Sequence, residues 1–392
     1  MVAPFSSTAQ IAFAVLVKPS AGAVTNYRGG DEADNGAALV AALDHADSGD
    51  TILLSVGVFD LGAGTISVPP GVTLCGAGKY LTTIRSSFNG TSTGPAIVGL
   101  SNGCAVERLT IDSTNPNFLA NHLDFPIGQA AYTGGDLFAT LRELHVIGKS
   151  DGLYFFNFGT AKICIAAYDC DFTTQYDALV FTGGVDSSLL LYNVNALADG
   201  AGGALGVNAF RGESSIGSVY WYGGSAFART TGIYNASALK LVSTTPMHLW
   251  GVKLGSATMS AAAAYDVNAW GPGTVAQFYG VSYNPAKVLT PENITIFGDP
   301  VLVPTTYTIA SDAITVALPD KLNYERVDTP SGPANLETIN NGQAGQILVL
   351  RNVNTSRKVT VKDGAGNLSL AGDYKLGTSE NVIGLLAITT SD

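Results

Sequence analysis

The sequence predicts an all-β fold built around a parallel β-solenoid. Three observations favour it: a pattern that repeats with a period in the twenties, a composition rich in glycine and poor in charge, and the near absence of helical periodicity. A repeat of this length with two-residue alternation is typical of stacked coils of short strands, because each coil can bury its apolar face only against its neighbours.

The repeated pattern is a four-residue segment, in which an apolar or aromatic residue, a small or polar residue, an apolar or glycine residue and a second polar residue follow one another. Successive strand residues point to opposite faces, so the first and third residues are expected inside and the second and fourth outside. The pattern therefore predicts an interior aromatic stack that an arginine interrupts. The six segments begin at Arg142, Tyr168, Tyr192, Tyr222, Trp250 and Tyr279.

The composition favours a strand-rich fold and excludes some classes of partner. With 46 glycines among 392 residues and only 13% charged residues, the chain suits many short strands joined by tight turns. A net charge of −11 without a basic cluster disfavours nucleic acid as a partner. The apolar run 11–17 is far below the roughly 20 residues needed to cross a bilayer, so no membrane insertion is expected. No positive stretch precedes that run, which disfavours a secretory signal peptide.

Cysteine and histidine spacing predicts neither a metal site nor a cofactor. The four histidines form no HExxH or paired arrangement, and the four cysteines have no metal-ligand spacing. Cys170 occupies an interior position of the pattern, where a cysteine acts as a small hydrophobe. Reduced, buried thiols are the simplest expectation.

The first part of the chain divides at about residue 30. Residues 1–30 contain two prolines and many small residues, and they are predicted to form an irregular arm. The one good helical pattern runs from Asn35 to Ala46. An amphipathic helix at this position would cover the unpaired strand edges and the apolar core at the end of a solenoid. The strand-like segments that follow are Gly49 to Leu54, Val58 to Leu61 and Thr65 to Leu74, and Pro69-Pro70-Gly71 is predicted to form a corner between two strands.

The segments Gly49 to Leu54, Val58 to Leu61, Ile66 to Leu74 and Gly76 to Gly78 resemble the opening of right-handed β-helix proteins of the pectate-lyase-like superfamily. The resemblance covers about fifty residues. It implies a right-handed parallel β-helix with an N-terminal capping helix over residues 31–299. Enzymes of that superfamily act on polysaccharides at an outer face of the solenoid, so the resemblance directs attention to that face.

After Pro300 the sequence consists of short strand-like runs separated by turn sequences, and this pattern predicts a β-sandwich-like domain over residues 300–392. Thr338 to Arg351, Arg357 to Gly364 and Gly366 to Gly372 resemble C-terminal domains of tailed-bacteriophage fibre and spike proteins. This resemblance implies a homotrimer held in part by the C-terminal domain. It also implies that the arm at residues 1–30 attaches the protein to other virion proteins.

Four residues of the outer face are candidates for catalysis. Two carboxylates, Asp169 and Asp171, lie two residues apart, at a Cα separation of about 7 Å that leaves room for a water between acid and base. Glu143 and His145 occupy the same positions one coil earlier. A competing interpretation is that outward polar residues serve solubility alone, and fold alone does not imply function. The adjacent Asp pair and Gly-His-Gly element of polygalacturonase-like enzymes do not occur.

Three aromatic residues are candidates for glycan binding without cleavage, since aromatic faces pack on sugar rings. Trp221 lies between two tyrosines and is predicted to point outwards, where a large aromatic side chain calls for a partner. A subunit interface explains an outward Trp221 equally well. The other two candidates are Trp270 and Tyr154.

Together these features predict a bacteriophage virion spike or fibre, assembled as a homotrimer in the host cytoplasm, that recognises a bacterial surface polysaccharide outside the cell. One alternative is a tailspike depolymerase, a glycoside hydrolase or lyase that uses the outer carboxylates. Another is a capsid decoration or head fibre with no glycan site. The sequence leaves open whether the protein is an enzyme.

Overall fold

The chain divides into two compact units, Met1–Pro300 and Val301–Asp392. All structural statements concern the residues that the computed structural model of the protein describes. These are residues 13–28, 32–88, 95–114, 125–130, 135–156, 161–182, 186–200, 206–212, 217–232, 235–242, 246–258, 263–269, 274–289, 294–297, 300–302, 306–315, 322–328, 332–340, 347–352, 357–370, 372–376 and 382–386.

The first unit consists almost entirely of short strands. Its elements before the regular coils are β1 (Phe13–Lys18), β2 (Ala23–Arg28), α1 (Glu32–Asp44), β3 (Thr51–Leu54), β4 (Gly57–Asp60), β5 (Ile66–Ser67), β6 (Thr73–Cys75), β7 (Thr82–Ser86), β8 (Val98–Gly99), β9 (Cys104–Glu107), β10 (Thr110–Ser113) and β11 (Ile127–Ala130). The strands that follow are β12 (Leu137–Arg142), β13 (His145–Gly148), β14 (Leu153–Phe156), β15 (Ile163–Tyr168), β16 (Asp171–Thr174), β17 (Asp177–Thr182), β18 (Ser188–Gly200), β19 (Val207–Gly212), β20 (Ser218–Thr230), β21 (Ala236–Leu241), β22 (Met247–Trp250), β23 (Lys253–Thr258), β24 (Ala264–Ala269), β25 (Thr274–Tyr279), β26 (Val281–Tyr283), β27 (Val288–Leu289) and β28 (Ile294–Phe297). The next strand, β29 (Pro300–Leu302), begins at the last residue of this unit. Two single-turn 3₁₀ helices span Pro19–Ala21 and Pro285–Lys287.

These strands form the predicted parallel β-helix. Each coil contributes three strands in succession, as β12, β13 and β14 do, and each strand pairs in parallel with its equivalent in the next coil. In β18 and β20 the first two strands of the coil are joined into one long strand. The walls of the β-helix are therefore three parallel sheets, called here the first, second and third sheet in the order in which a coil passes through them.

The pairing aligns the six segments of the repeated pattern in register, as the sequence predicts. The first residues of the segments pair in the order Arg142, Tyr168, Tyr192, Tyr222, Trp250 and Tyr279. The fourth residues pair in the order His145, Asp171, Asn195, Ser225, Lys253 and Ser282. A period that varies between coils is compatible with constant register because the turns between strands absorb the differences in length.

The core is a continuous apolar column along the inside of the coils. Its largest fully buried side chains include Trp221, Phe172 and Phe278. The thiol of Cys170 is also fully buried, as predicted, and burial raises its pKa to about 12. Two strands of the third sheet are buried on both faces, since every residue of Asp177–Thr182 and Val207–Gly212 is buried.

The N-terminal region differs from the predicted irregular arm. Residues 13–28 form an antiparallel hairpin in which β1 pairs with both β2 and β3, and β1 buries Ala14 and Leu16. The alternation of buried and exposed residues in β1 matches the open edge of the first coil, which would otherwise expose unpaired backbone groups. Residues 1–12 of the predicted arm lie outside the described residues.

The predicted capping helix is present as α1. It buries Leu39 and Ala42 and packs on β1 and β4. Gly36 permits this close packing, because a Cβ atom there would lie 1.9 Å from the carbonyl oxygen of Asp60. A larger residue at position 36 would push the helix off the first coil.

The second unit is all β, and three sheets enclose one apolar core that includes Val327, Leu336 and Leu350. In three of the four parallel strand pairs described there, the partners lie 25 residues apart, as in Leu322 with Ile347 and Ala334 with Val359. Antiparallel pairs complete two of the sheets, so the sandwich-like domain expected from the turn sequences contains parallel coils as well. Its strands are β30 (Thr306–Thr308), β31 (Ala313–Thr315), β32 (Leu322–Asp328), β33 (Ala334–Leu336), β34 (Thr338–Asn340), β35 (Ile347–Asn352), β36 (Val359–Val361), β37 (Tyr374–Leu376) and β38 (Val382–Leu386).

Candidate functional site

In seven successive coils the chain turns a corner between the first and second strand at a residue with a left-handed backbone, where φ lies between 48° and 68°; in the coil of β20 the following Gly224 also has a positive φ. Glycine adopts this conformation freely, and asparagine and aspartate adopt it more readily than other residues do. The second residue of the repeated pattern is small or polar for this reason. The corner residues are Arg108, Glu143, Asp169, Asn193, Gly223, Gly251 and Gly280.

The corner decides which side chains face outwards. Tyr168 ends β15 and is half-buried, Asp169 at the corner is exposed, and Cys170 is buried. Two successive residues thus point away from the interior, so simple alternation does not continue through the corner. The predicted interior aromatic stack is therefore wrong: the aromatic residues lie on the outer face, and residues such as Ala167 and Leu191 fill the core beside them.

The outward aromatic residues of the first sheet form a continuous stack, called here the aromatic ladder. Its ring centroids are 5.0, 4.9, 4.4 and 5.3 Å apart along the series, with interplanar angles of 6° to 12°. Each ring covers the face of the next, so the surface presents ring edges and a row of phenol hydroxyls. The members are Tyr168, Tyr192, Tyr222, Trp250 and Tyr279.

Arg142 extends the aromatic ladder, although the sequence predicts that it interrupts the column. Its guanidinium lies 5.0 Å from the centroid of the Tyr168 ring. A planar cation over a ring face is attracted by the ring quadrupole. Arg142 also lies 3.7 Å from the carboxylate of Glu107 in the preceding coil, which closes this end of the stack.

A second column of outward side chains follows the corner in the second sheet. Asn195 donates through Nδ2 to Oδ1 of Asp171 at 2.9 Å, and Ser225 donates through Oγ to Oδ1 of Asn195 at 2.9 Å. His145 precedes Asp171 in the same register. These four residues, His145, Asp171, Asn195 and Ser225, are called here the polar ladder. The hydrogen bonds among Asp171, Asn195 and Ser225 fix the donors and acceptors that face solvent.

A short loop from much earlier in the chain reaches the polar ladder. Lys79 places Nζ 2.5 Å from Oδ2 of Asp171 and also donates to the carbonyl oxygen of Asp169 at 2.9 Å. Tyr80 donates its hydroxyl to Oδ2 of Asp171 at 3.2 Å, and its ring meets that of His145 edge to face at 5.3 Å. Asp171 is therefore held from both sides, by the loop and by the next coil.

These contacts set the charges of the site. Burial opposes ionisation of Asp171, but the hydrogen bonds from Lys79 and Asn195 outweigh it and lower the pKa of this carboxyl. Burial lowers the pKa of His145, Lys79 acts in the same direction, and Asp171 and Asp112 oppose the shift. At neutral pH the site holds an ionised Asp171 beside a neutral imidazole.

The lowered pKa of His145 predicts a pH-dependent loss of stability. Below its ordinary value near 6.5 the unfolded chain takes up a proton at this position before the folded chain does, so stability falls as pH falls through this range. We expect the thermal midpoint of the wild type to drop more between pH 7.5 and pH 5.5 than that of His145→Gln, measured by circular dichroism. An equal drop in both proteins would contradict the burial of a neutral imidazole.

The structure separates the four candidate catalytic residues into two pairs. His145 and Asp171 belong to the polar ladder, whereas Glu143 and Asp169 occupy corners. Asp169 accepts a hydrogen bond at 2.7 Å from Nδ2 of Asn193 at the next corner. Hydrolysis of a glycosidic bond requires one carboxyl group that stays protonated as the general acid. Asp171, whose pKa is lowered, is suited to accept hydrogen bonds rather than to donate a proton.

The polar ladder lines one side of a shallow depression of about 340 Å³. Thr173, Leu197 and Phe227, which follow the ladder by two residues along their strands, line the other side. The ring of Phe227 is 39% exposed and that of Tyr80 is 69% exposed. Fixed polar groups bordered by exposed aromatic rings are the ingredients of a binding site for a polar ligand with apolar faces.

The aromatic candidates from the sequence lie elsewhere. Trp221 is fully buried and donates through Nε1 to the carbonyl oxygen of Val194 at 3.3 Å, so the outward orientation predicted for it is wrong. Tyr154 is 5% exposed and stacks on Phe125 with centroids 4.7 Å apart. Neither ring offers a face to a glycan. Trp270 lies outside the described residues.

Sequence reasoning missed Lys79, Tyr80 and Phe227. Phe227 had a signal, because it follows Ser225 by two residues and so faces the same way along β20. Lys79 and Tyr80 had none, because their contacts join residues some 90 positions apart in a turn without a distinctive pattern.

Within the described ranges, no three histidine, cysteine or acidic side chains are grouped so that they could hold a metal ion. Among the same residues, no helix has the length and apolar character needed to cross a membrane.

No protein-family model matches the chain, and neither does any curated protein sequence. Among solved structures, the chain is similar to the A-module of mannuronan C-5 epimerase AlgE4 from Azotobacter vinelandii, with 15% identity and a TM-score of 0.43 over 87% of this chain and 97% of that one. Pectin methylesterase from carrot gives 13% identity and a TM-score of 0.39 over 67% and 79% of the two chains. The A-module of AlgE6 from Azotobacter vinelandii gives 14% identity and a TM-score of 0.36 over 83% and 97%. Likenesses of this strength decide nothing about the activity of this chain.

Proposed function

We propose that this protein is a glycan-binding β-helix protein, a bacteriophage spike or fibre that assembles as a homotrimer and recognises a bacterial surface polysaccharide. The observation that carries the glycan-binding proposal is the juxtaposition of the polar ladder with two exposed aromatic rings, Tyr80 and Phe227. The resemblance of residues after Pro300 to phage fibre and spike domains supports the virion assignment, in which the N-terminal segment would bind other virion proteins.

The depression suits a sugar chain because its polar groups are already held in place. Asp171, Asn195 and Ser225 are hydrogen-bonded to one another, so binding would cost little side-chain ordering. Successive groups lie about 4.8 Å apart along the column, the spacing between neighbouring strands. A linear glycan lying parallel to the column would meet a new hydrogen-bonding group in each coil.

The charges favour a neutral glycan. The polar ladder contains one carboxylate, Asp171, and the ammonium group of Lys79 pairs with it. A polyanionic chain would find this ammonium group already occupied and would approach a protein with a net charge of −11. We propose binding without cleavage, because Asp171 is held ionised and is not suited to serve as a general acid.

Binding of purified host surface polysaccharide, measured by biolayer interferometry, tests the proposal. Tyr80→Ala, Asn195→Ala and Phe227→Ala are each expected to weaken binding about tenfold, the effect of losing roughly 1.4 kcal/mol of contacts. Tyr374→Ala removes a ring that is 39% exposed in the second unit, and this control should bind like the wild type. A neutral polysaccharide should bind more tightly than a uronic-acid polymer.

Equal binding by the wild type and all three site variants would refute the proposed site. The same samples test the enzymatic alternative when they are assayed for new reducing ends and unsaturated sugars. We expect neither product. Product release by the wild type that Asp171→Asn abolishes would instead establish a depolymerase.

A further inference from the structure

The outer face of the first sheet is free of charge over five coils. It comprises the outward residues of β15, of β18 and β20 before their corners, and of β22 and β25, and it is called here the aromatic face. Among its described residues there is no aspartate, glutamate, lysine or arginine. The aromatic ladder runs along one edge of this face, and Tyr220 and His248, stacked at 4.8 Å, lie beside it.

The chain elsewhere is strongly acidic, with 31 acidic and 20 basic residues. Charge returns immediately beyond the corner, where the second sheet carries Asp171, Lys253 and the exposed pair of Asp199 with Arg229. Loss of every carboxylate from one face of such a protein is unlike the dispersed charge of a surface that only meets water. Depletion of charge together with enrichment in tyrosine and tryptophan is the composition of an interface core.

We infer that the aromatic face binds a second copy of this chain. Two copies each carry a net charge of −11, so contact through a surface that holds no carboxylates keeps the repulsion between them smallest. A basic partner would be matched by acidic residues, which this face lacks. The inference rests on the self-association included in the proposed function, and it identifies the surface involved.

The stacking argues against a glycan as the occupant of this face. Sugar rings pack on aromatic faces, but the faces of Tyr192, Tyr222 and Trp250 are covered by neighbouring rings on both sides. The exposed edges and hydroxyls are suited to pack against, and hydrogen-bond with, protein side chains. Because the rings are already ordered by stacking, their immobilisation on association costs little entropy.

A shallow depression of about 240 Å³ adjoins the aromatic ladder and offers space for an apolar side chain of the second copy. Phe138, Cys164, Ala166 and Leu190 line it, and Phe138 is 44% exposed. An apolar side chain seated there would remove this ring from water. Leu190 lines the depression and is the strand partner of Tyr220 in the next coil.

Sedimentation velocity of the full chain at 1 to 100 µM tests the inference. The wild type is expected to sediment as an oligomer, and Leu190→Glu is expected to weaken association at least tenfold. Val40→Glu replaces a residue that is 39% exposed on α1 and should leave association unchanged. A monomeric wild type at 100 µM, or an undiminished oligomer of a folded Leu190→Glu, would overturn the inference.

Alkylation of Cys164 provides a readout that needs no substitution in the aromatic face. The thiol is half-buried in the single chain, so its reaction with iodoacetamide should slow as the wild-type concentration rises from 1 to 100 µM. A constant rate would count against the inference even if Leu190→Glu failed to fold.

Glycan binding by monomeric Leu190→Glu separates the proposed interface from the proposed glycan site, because the site on the polar ladder should still bind. If Leu190→Glu stayed oligomeric but no longer bound the glycan, the aromatic face would be a glycan surface instead.

Discussion

Replacing Trp221 with alanine is expected to lower the free energy of unfolding of the β-helix by about 3–5 kcal/mol, because it removes the largest fully buried side chain of the core. The indole lies inside the coils, and its Nε1 donates to the carbonyl oxygen of Val194 in the preceding coil. The substitution leaves a cavity and an unpaired carbonyl group together. Urea denaturation followed by far-ultraviolet circular dichroism measures the effect.

Two further variants make this result specific. Trp221→Phe keeps most of the volume and loses the hydrogen bond, so we expect a smaller cost of about 1–2 kcal/mol. Trp250→Ala removes the same residue type from the aromatic ladder, where stacking on Tyr222 and Tyr279 contributes about 1–2 kcal/mol. If Trp221→Ala were as stable as Trp250→Ala and lost glycan binding, the indole would have to face solvent.

The contrast between these two tryptophans shows how far the sequence could predict the fold. The spacing of the repeated pattern predicted the parallel register correctly, because equivalent positions in stacked coils must pair for each coil to bury its apolar face. The direction of the side chains could not be derived by counting every second residue. The left-handed residue Asp169 at the corner shifts the alternation between Tyr168 and Cys170.

The corner was nevertheless visible in the residue types. Asn193, Gly223, Gly251 and Gly280 occupy the same position of successive segments, and all of them tolerate a positive φ. A column made of asparagine and glycine predicts a turn more directly than it predicts a solvent-facing strand position. With that reading, Tyr222 would be assigned to the surface and its neighbour Trp221 to the core.

The candidate site could be predicted only in part, for a different reason. His145 and Asp171 follow from the register, since both are fourth residues of adjacent segments. The loop that holds Asp171 comes from Lys79 and Tyr80, and no local pattern links residues so far apart. The same limit applies to the N-terminal hairpin, whose strand β1 is specified by the edge of β3 that it covers.

Removing the carboxylate of Asp177 is expected to destabilise the protein by about 3–5 kcal/mol, because it breaks an ion pair between two buried side chains. Arg211 places Nη1 2.5 Å from Oδ2 of Asp177, and the two side chains are 7% and 0% exposed. Asn208 donates to the other carboxylate oxygen at 2.7 Å. Both groups lie in the third sheet, where neither face of β17 or β19 reaches water.

An exposed ion pair of the same kind shows how much of the expected loss of stability is due to burial. Arg229 and Asp199 form the same kind of pair between adjacent coils of the second sheet, with the arginine side chain 45% exposed. Water and salt screen that pair, so Asp199→Ala should change stability little. Asp177→Ala should unfold at clearly lower urea concentration than Asp199→Ala, in low salt and in 0.5 M NaCl alike. Equal midpoints for the two variants would mean that Arg211 is solvated.

The double variant Asp177→Leu with Arg211→Met tests the physical reason for the loss. A buried ion pair owes much of its apparent strength to the cost of leaving one partner alone, and apolar replacements of similar volume often restore stability. We therefore expect the double variant to recover most of the stability lost in Asp177→Ala. Failure to recover would show that the remaining partners of the pair, Asn208 among them, depend on these charges to satisfy their own hydrogen bonds.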